Sequence, residues 1–192
     1  EVKGEKTLTA SCIRKPTDGM EVFTNNEKVK KSQKLILELL LTDQPKIKKT
    51  TYQEGHFWNT LNIKKITNSR FTPKNPDIIP KADKSHPAMT VALDACIQCG
   101  LCVRACRDVQ VNDVLGMSGR GANSYPVFDT NTLMGESSCV GCGECVQACP
   151  TGALIETSLV DENNNQTIFP DHKIKSLCPF CGVGCQTLVS VK

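Results

Sequence analysis

Large rings are scarce in this chain. One tryptophan, two tyrosines and six phenylalanines are 5% of its 192 residues, which excludes a large aromatic-rich core. Histidine is scarcer still, with three in all. His56 and His86 each stand without partners at ligand spacing, so neither is read as a metal ligand. No stretch approaches the ~20 consecutive apolar residues of a membrane span. The longest apolar run, Leu35–Leu41, is broken by Glu38. No secretory leader is visible, although the chain opens on Glu1 and EVKGEK reads as the interior of a longer sequence. A net charge of +3 leaves no basic surplus for a nucleic-acid partner. The length leaves room for one ordinary domain or two small ones.

What the chain has in surplus is cysteine, with twelve. A disulfide framework usually spreads its cysteines irregularly through a short secreted chain. Here eleven of the twelve fall into three tight bursts. Thiols so close pair badly with one another, but they can converge on one soft metal centre. The first burst is Cys96-x-x-Cys99-x-x-Cys102-x-x-x-Cys106, in DACIQCGLCVRAC. The second is Cys139-x-x-Cys142-x-x-Cys145-x-x-x-Cys149, in SSCVGCGECVQAC. The two form an internal repeat, with Gly100 and Gly143 in equivalent places, and a duplicated unit should pack as a pseudo-twofold pair.

Structural zinc prefers C-x-x-C pairs split by a longer loop. Four cysteines in so short a run, twice over, fit [4Fe–4S] chemistry instead, as does the Cys149–Pro150 ending. In this spacing the first three cysteines wrap one corner of a cubane, and the fourth, on a short helix just beyond, turns to the other cluster. The expected sets are therefore Cys96, Cys99, Cys102 and Cys149 for one cluster, and Cys139, Cys142, Cys145 and Cys106 for the other. Cluster and fold should depend on each other, because ligand binding is then folding free energy.

Elsewhere the pattern is coarser. Leu8–Ile13 and Met20–Thr24 read as short β-like runs, punctuated by Gly4, Pro16 and Gly19. Thr24 and Glu27 fit a capping box. Val29, Ile36, Leu39 and Leu40 share one face of a helical period that follows, with Pro45 just past its end. Lys46, Lys48 and Lys49 read as a solvated stretch. EGHFWNTLNI reads as a short helix docked by Phe57, Trp58 and Leu61, with the single tryptophan a packing anchor. Pro73, Pro76, Pro80 and Pro87 mark an extended connector.

Met89–Ile155 resembles the two-cluster bacterial-type ferredoxin domains found inside larger redox enzymes. It departs from small ferredoxins at Arg107, where they usually have proline, and in the long connection Arg107–Ser138. That insertion, with GMSGRGANS at its centre, reads as surface decoration in preference to a docking or shielding loop. ASCIRKPTDGMEVFTNNEKVKKSQKLILELLLTDQP resembles the end of a plant-type [2Fe–2S] domain and its trailing helix. The resemblance makes Cys12 the fourth [2Fe–2S] ligand, the others lying upstream; otherwise it reads as a lone buried thiol. Gln44 stands where many of these proteins have a histidine, and residues 45–95 hold no cysteine, so the extra cluster they carry there is not expected.

KSLCPFCGVGC resembles the motif that opens molybdopterin-dependent catalytic domains. On that resemblance Cys178, Cys181 and Cys185 hold a third [4Fe–4S] cluster, with the fourth ligand beyond Lys192. The combination is most similar to the alpha subunits of NAD-dependent formate dehydrogenases. Complex I large subunits typically lack a complete second burst, and [FeFe]-hydrogenases continue with different cysteine signatures.

The resemblance implies an α+β chain in four parts. Residues 1–24 are the end of a β-grasp [2Fe–2S] domain, and 25–87 a helix and connector. Residues 88–174 are a two-cluster [4Fe–4S] ferredoxin domain, and 175–192 the start of a molybdopterin-oxidoreductase domain. It also implies a cytoplasmic enzyme that oxidises formate at a molybdenum or tungsten bis-pterin and works with a flavin- and NAD-binding beta subunit. Residues 1–192 offer no catalytic metal ligand, so this part is the electron relay. Arg104 and Arg107 read as surface charges in preference to groups that raise a cluster potential. The rival classes are a relay in an [FeFe]-hydrogenase or complex I, a free-standing ferredoxin-type carrier, and a zinc-binding interaction module.

Overall fold

The computed structural model describes residues 1–45, 55–73 and 80–192. The expectations for Lys46, Lys48, Lys49, Glu54 and Pro76 lie outside these residues. The chain divides into two units, one of residues 1–43 and 60–74, the other of residues 44–59 and 75–192.

The first unit is organised by helix α1, Glu27–Leu41. Its cap is Asn26, not Thr24: the Asn26 side chain accepts from Val29 N at 2.9 Å. Asparagine is among the strongest N-caps, and its position makes Glu27 the first helical residue, too early to close a box. The apolar stripe also differs from the expected one. Val29 is buried, but Ile36 and Leu39 are 55% and 54% exposed. The buried residue towards the C-terminal end is Glu38, which accepts from Arg70 Nε at 2.7 Å and lies 3.9 Å from Lys34 Nζ. The Arg70 hydrogen bond holds the Glu38 carboxyl below its ordinary range, outweighing the opposite pull of burial. An ion pair thus occupies the place where periodicity suggests leucine and isoleucine.

The β-like runs before α1 are not strands. Ile13 N donates to Ala10 O at 3.3 Å in a turn, and Val22 makes an isolated antiparallel bridge with Val2. Pro16 and the left-handed Gly19 (φ 74°) fall between the runs.

The second unit holds the cysteine repeat. Helix α2, His56–Ile63, starts in it. Phe57 and Trp58 are buried, with rings edge-to-face at 5.4 Å. Strand β1 (Met89–Val91) pairs antiparallel with β4 (Leu154–Glu156), Thr90 opposite Ile155. Between them lie helix α3 (Leu101–Arg104), the hairpin of β2 (Leu115–Ser118) and β3 (Tyr125–Phe128), and helix α4 (Glu144–Ala148). Met89, Val91, Val103, Phe128, Met134, Val146 and Leu154 form the apolar core, with Cys106 and Cys145 among them.

Asp83 ties the approach to β1 to the second half of the repeat. Its backbone pairs with Val91, and its carboxylate accepts from Ser85 N at 2.8 Å and from Met134 N at 2.6 Å. Burial raises the Asp83 carboxyl, but the bonds from Met134 and Ser85 outweigh it and leave it below its ordinary value. Gly135 passes so near Ser85 that a Cβ there would overlap the Ser85 carbonyl. After β4, strands β5 (His172–Leu177) and β6 (Gln186–Val191) form a separate antiparallel hairpin, exposed along almost its whole length.

Candidate metal centres

Each half of the repeat places its thiols by bending the backbone back on itself. In the first half, Gly100 (φ 70°) takes the left-handed conformation that starts α3. Gln98 is also left-handed (φ 58°), which a side chain resists. That strain is offset by its amide, which donates to Ala122 O at 2.9 Å and Ser124 O at 2.7 Å. The same residue's N–H points at Cys96 Sγ, 3.3 Å away. α3 then widens into a π turn, Ala105–Val109, that carries the buried Cys106. In the second half, Gly141 (φ 70°) and Gly143 (φ 75°) make the equivalent bend, and Gly141 N donates to Cys139 Sγ at 3.4 Å. Here Cys149 ends α4 in an extended conformation, and Pro150 keeps the helix from continuing. Leu154 N donates to Cys149 Sγ at 3.5 Å.

Two cavities result. The first, of about 390 Å³, is lined by Cys96, Cys99, Cys102 and Cys149. The second, of about 330 Å³, is lined by Cys106, Cys139, Cys142 and Cys145. Each thus draws three cysteines from one half of the repeat and one from the other. Electrostatics divides them the same way. Burial, with the charges of Cys149, Cys96 and Cys99 nearby, pushes the Cys102 thiol up to about 12. Burial, with Cys139, Cys142 and Cys106, pushes Cys145 up to about 12. Thiolates brought together in this way repel one another unless cations bind between them, and binding releases the protons.

The chemistry of the donors, four thiols at each site and no histidine, fits a cluster. A zinc ion would draw four thiolates to within ~2.3 Å of one point. Among the described residues no group of three or more His, Cys, Asp or Glu converges in that way. The eight thiols line instead two hollows, four to each.

The walls themselves are not evident from the cysteine spacing. The β2–β3 hairpin, expected as surface decoration, lines both cavities: Met117 and Pro126 face the first, Leu115 and Phe128 the second. Its two short runs flanking SGRGAN carry a hairpin signal in the sequence. Asn112 also lines the second cavity and donates from Nδ2 to Cys142 Sγ at 3.9 Å. Arg104 and Arg107, by contrast, are exposed and paired with Asp108.

The remaining cysteines are not among the residues that line either cavity. Cys178 is half-buried, and Cys181 and Cys185 are exposed, all on the turn between β5 and β6, where Cys178 N donates to Cys185 O at 2.9 Å. Cys12 is exposed in the turn after Ala10, so the lone-buried-thiol reading does not hold. Gln44 donates to Ala95 O at 2.8 Å, beside the first burst.

Residues 95–153 match the family described as a 4Fe-4S dicluster domain. This stretch is a dicluster domain. Over most or all of its length the chain is similar to longer proteins. It is 29% identical to "Putative formate dehydrogenase YrhE" of Bacillus subtilis (strain 168), over 100% of the chain and 24% of that protein. It is 32% identical to NADP-reducing hydrogenase subunit HndD of Solidesulfovibrio fructosivorans, over 89% of the chain and 29% of that protein. Its fold is similar to that of an NAD+-reducing [NiFe]-hydrogenase in the H2-reduced state, with a TM-score of 0.71 and 25% identity over 82% of this chain and 67% of that one. The chain spans less than a third of the length of these curated relatives. Iron–sulfur electron transfer is the function class the dicluster domain brings. No helix among the described residues is long and apolar enough to cross a membrane.

Proposed function

We propose that this chain is the iron–sulfur relay of an NAD-linked formate dehydrogenase with a molybdenum or tungsten bis-pterin. The observation that carries the reading is the pair of four-cysteine cavities, each assembled from both halves of the repeat. Cys96, Cys99, Cys102 and Cys149 would hold one [4Fe–4S] cluster, and Cys106, Cys139, Cys142 and Cys145 the other. A bound cluster supplies one-electron storage at a tunable potential. The protein's part is to space the thiolates, exclude water and direct N–H groups at sulfur. Gln98, Gly141 and Leu154 do the last of these.

Three further parts of the proposal rest on resemblance. Cys178, Cys181 and Cys185 would take part in a third [4Fe–4S] cluster completed elsewhere in the protein. Cys12 would be a [2Fe–2S] ligand. A flavin- and NAD-binding beta subunit would receive the electrons from formate. The domain divisions at residues 24, 87 and 174 belong to the same reading. The likeness to the two hydrogenases supports a second reading, in which the same relay serves hydrogen oxidation.

Iron and acid-labile sulfide analysis of anaerobically purified chain, with EPR of the reduced protein, tests the relay. Two [4Fe–4S] signals from residues 95–153 are expected, and zinc without sulfide would sink both readings. Formate- against hydrogen-dependent reduction of the full-length protein separates one from the other.

A further inference from the structure

Among the described residues, the cavity walls contain one fully buried polar side chain, and its hydroxyl meets one sulfur. Thr151 is 1% exposed, and its hydroxyl lies 3.8 Å from Cys149 Sγ. A buried hydroxyl that leaves water needs a partner. If Cys149 is a thiolate ligand it has no proton to give, so Thr151 is the donor. We infer that Thr151 is a positioning residue that sets the reduction potential of the cluster in the first cavity, through an O–H···S bond to Cys149. This rests on the reading of Cys149 as a ligand.

The surroundings hold that hydroxyl in place. Trp58 Nε1 donates to Thr151 O at 3.2 Å, and Phe57 N donates to Pro150 O at 3.2 Å. The start of α2 thereby grips the backbone on which both Cys149 and Thr151 sit, and Trp58 is more than a packing anchor. Thr151 and Cys149 also line the same cavity. When the cluster gains one electron its sulfurs become more negative, and a donor aimed at one of them is worth more in the reduced state than in the oxidised. The electron comes from the reductant and no proton moves; the hydroxyl only reorients its hydrogen.

The test is a redox titration of the full chain with dithionite, followed by EPR, comparing wild type with Thr151→Val and Thr151→Ser. In Thr151→Val the reduced-to-oxidised ratio of the first cluster at fixed potential should fall about threefold to tenfold, a tenfold change being 59 mV for one electron. The second cluster should titrate as in wild type, and the serine variant should restore the first. A valine variant with an unchanged first potential, or a serine variant that behaves like valine, overturns the inference. A second measurement avoids any variant that fails to load. In wild-type chain moved to deuterium oxide, pulsed ENDOR of the reduced first cluster should detect a slowly exchanging hydroxyl hydrogen, and its absence also overturns the inference. Failure of wild type to show any [4Fe–4S] signal would instead strike the underlying relay.

Discussion

The two halves of the repeat begin alike and end differently. Both open with a left-handed glycine that turns the chain into a short helix, Gly100 before α3 and Gly143 before α4. After the fourth cysteine they part. Pro150 stops α4 at once, and Cys149 is left in extended backbone, where Leu154 N and Thr151 Oγ1 reach its sulfur. Arg107 cannot stop α3, so the helix runs on as a π turn to Val109 and buries Cys106 inside it. π turns often mark functional sites. The overrun has a cost: Val111 (φ 57°) and Asp113 (φ 52°) must both turn left-handed to bring the chain back, and for the β-branched Val111 that is an outlier. What it yields is Asn112, whose N–H donates to Cys106 O at 3.0 Å and whose side chain meets Cys142 Sγ. Duplicated spacing therefore does not mean duplicated environments.

The largest way to break this comparison is to remove a crossing ligand. Cys106→Ala should abolish the cluster shared with Cys139, Cys142 and Cys145 and leave the Cys96 cluster visible by EPR; loss of the Cys96 cluster alone would refute the crossed assignment. Arg107→Pro gives the first half the ending of the second. Proline inside a continuing helix removes an N–H and clashes with the preceding turn, so a loss of about 3 kcal/mol is expected in urea unfolding. Only the second cluster should load poorly.

Gly135→Ala tests a tie that the first half has no counterpart for. With the Ser85 carbonyl in the way, a cost of about 1–3 kcal/mol is expected from overpacking, read from the same unfolding curves. The smallest effect belongs to Asn112→Leu. The Asn112 contact with Cys142 is exposed to water, unlike that of the buried Thr151, so the second cluster's reduced-to-oxidised ratio should fall by no more than about threefold in a potentiometric titration.

The two sets of four cysteines expected from burst spacing each line one cavity, although whether they hold clusters awaits the Cys106→Ala experiment. The helix at His56–Ile63 and its buried Phe57 and Trp58 were legible because their pattern, like ligand spacing, is a local property of the chain. What escaped depends on contacts far apart in sequence. Glu38 is buried because Arg70 is there to meet it, and no helical period records that. The β2–β3 hairpin looked dispensable because its apolar residues are few, yet Gln98, some 24 residues away, fastens its turn in place. Nothing in the sequence singles out Thr151; its burial beside Cys149 does.

That hairpin has a consequence for the speed of electron passage. Leu115 and Phe128 at one room, and Met117 and Pro126 at the other, belong to two strands held in a single register. A wall of fixed apolar groups has few dipoles to rearrange when charge arrives or departs, whereas water must reorient each time. With clusters bound as proposed, one eight-residue ladder would keep the reorganisation energy low at donor and acceptor together.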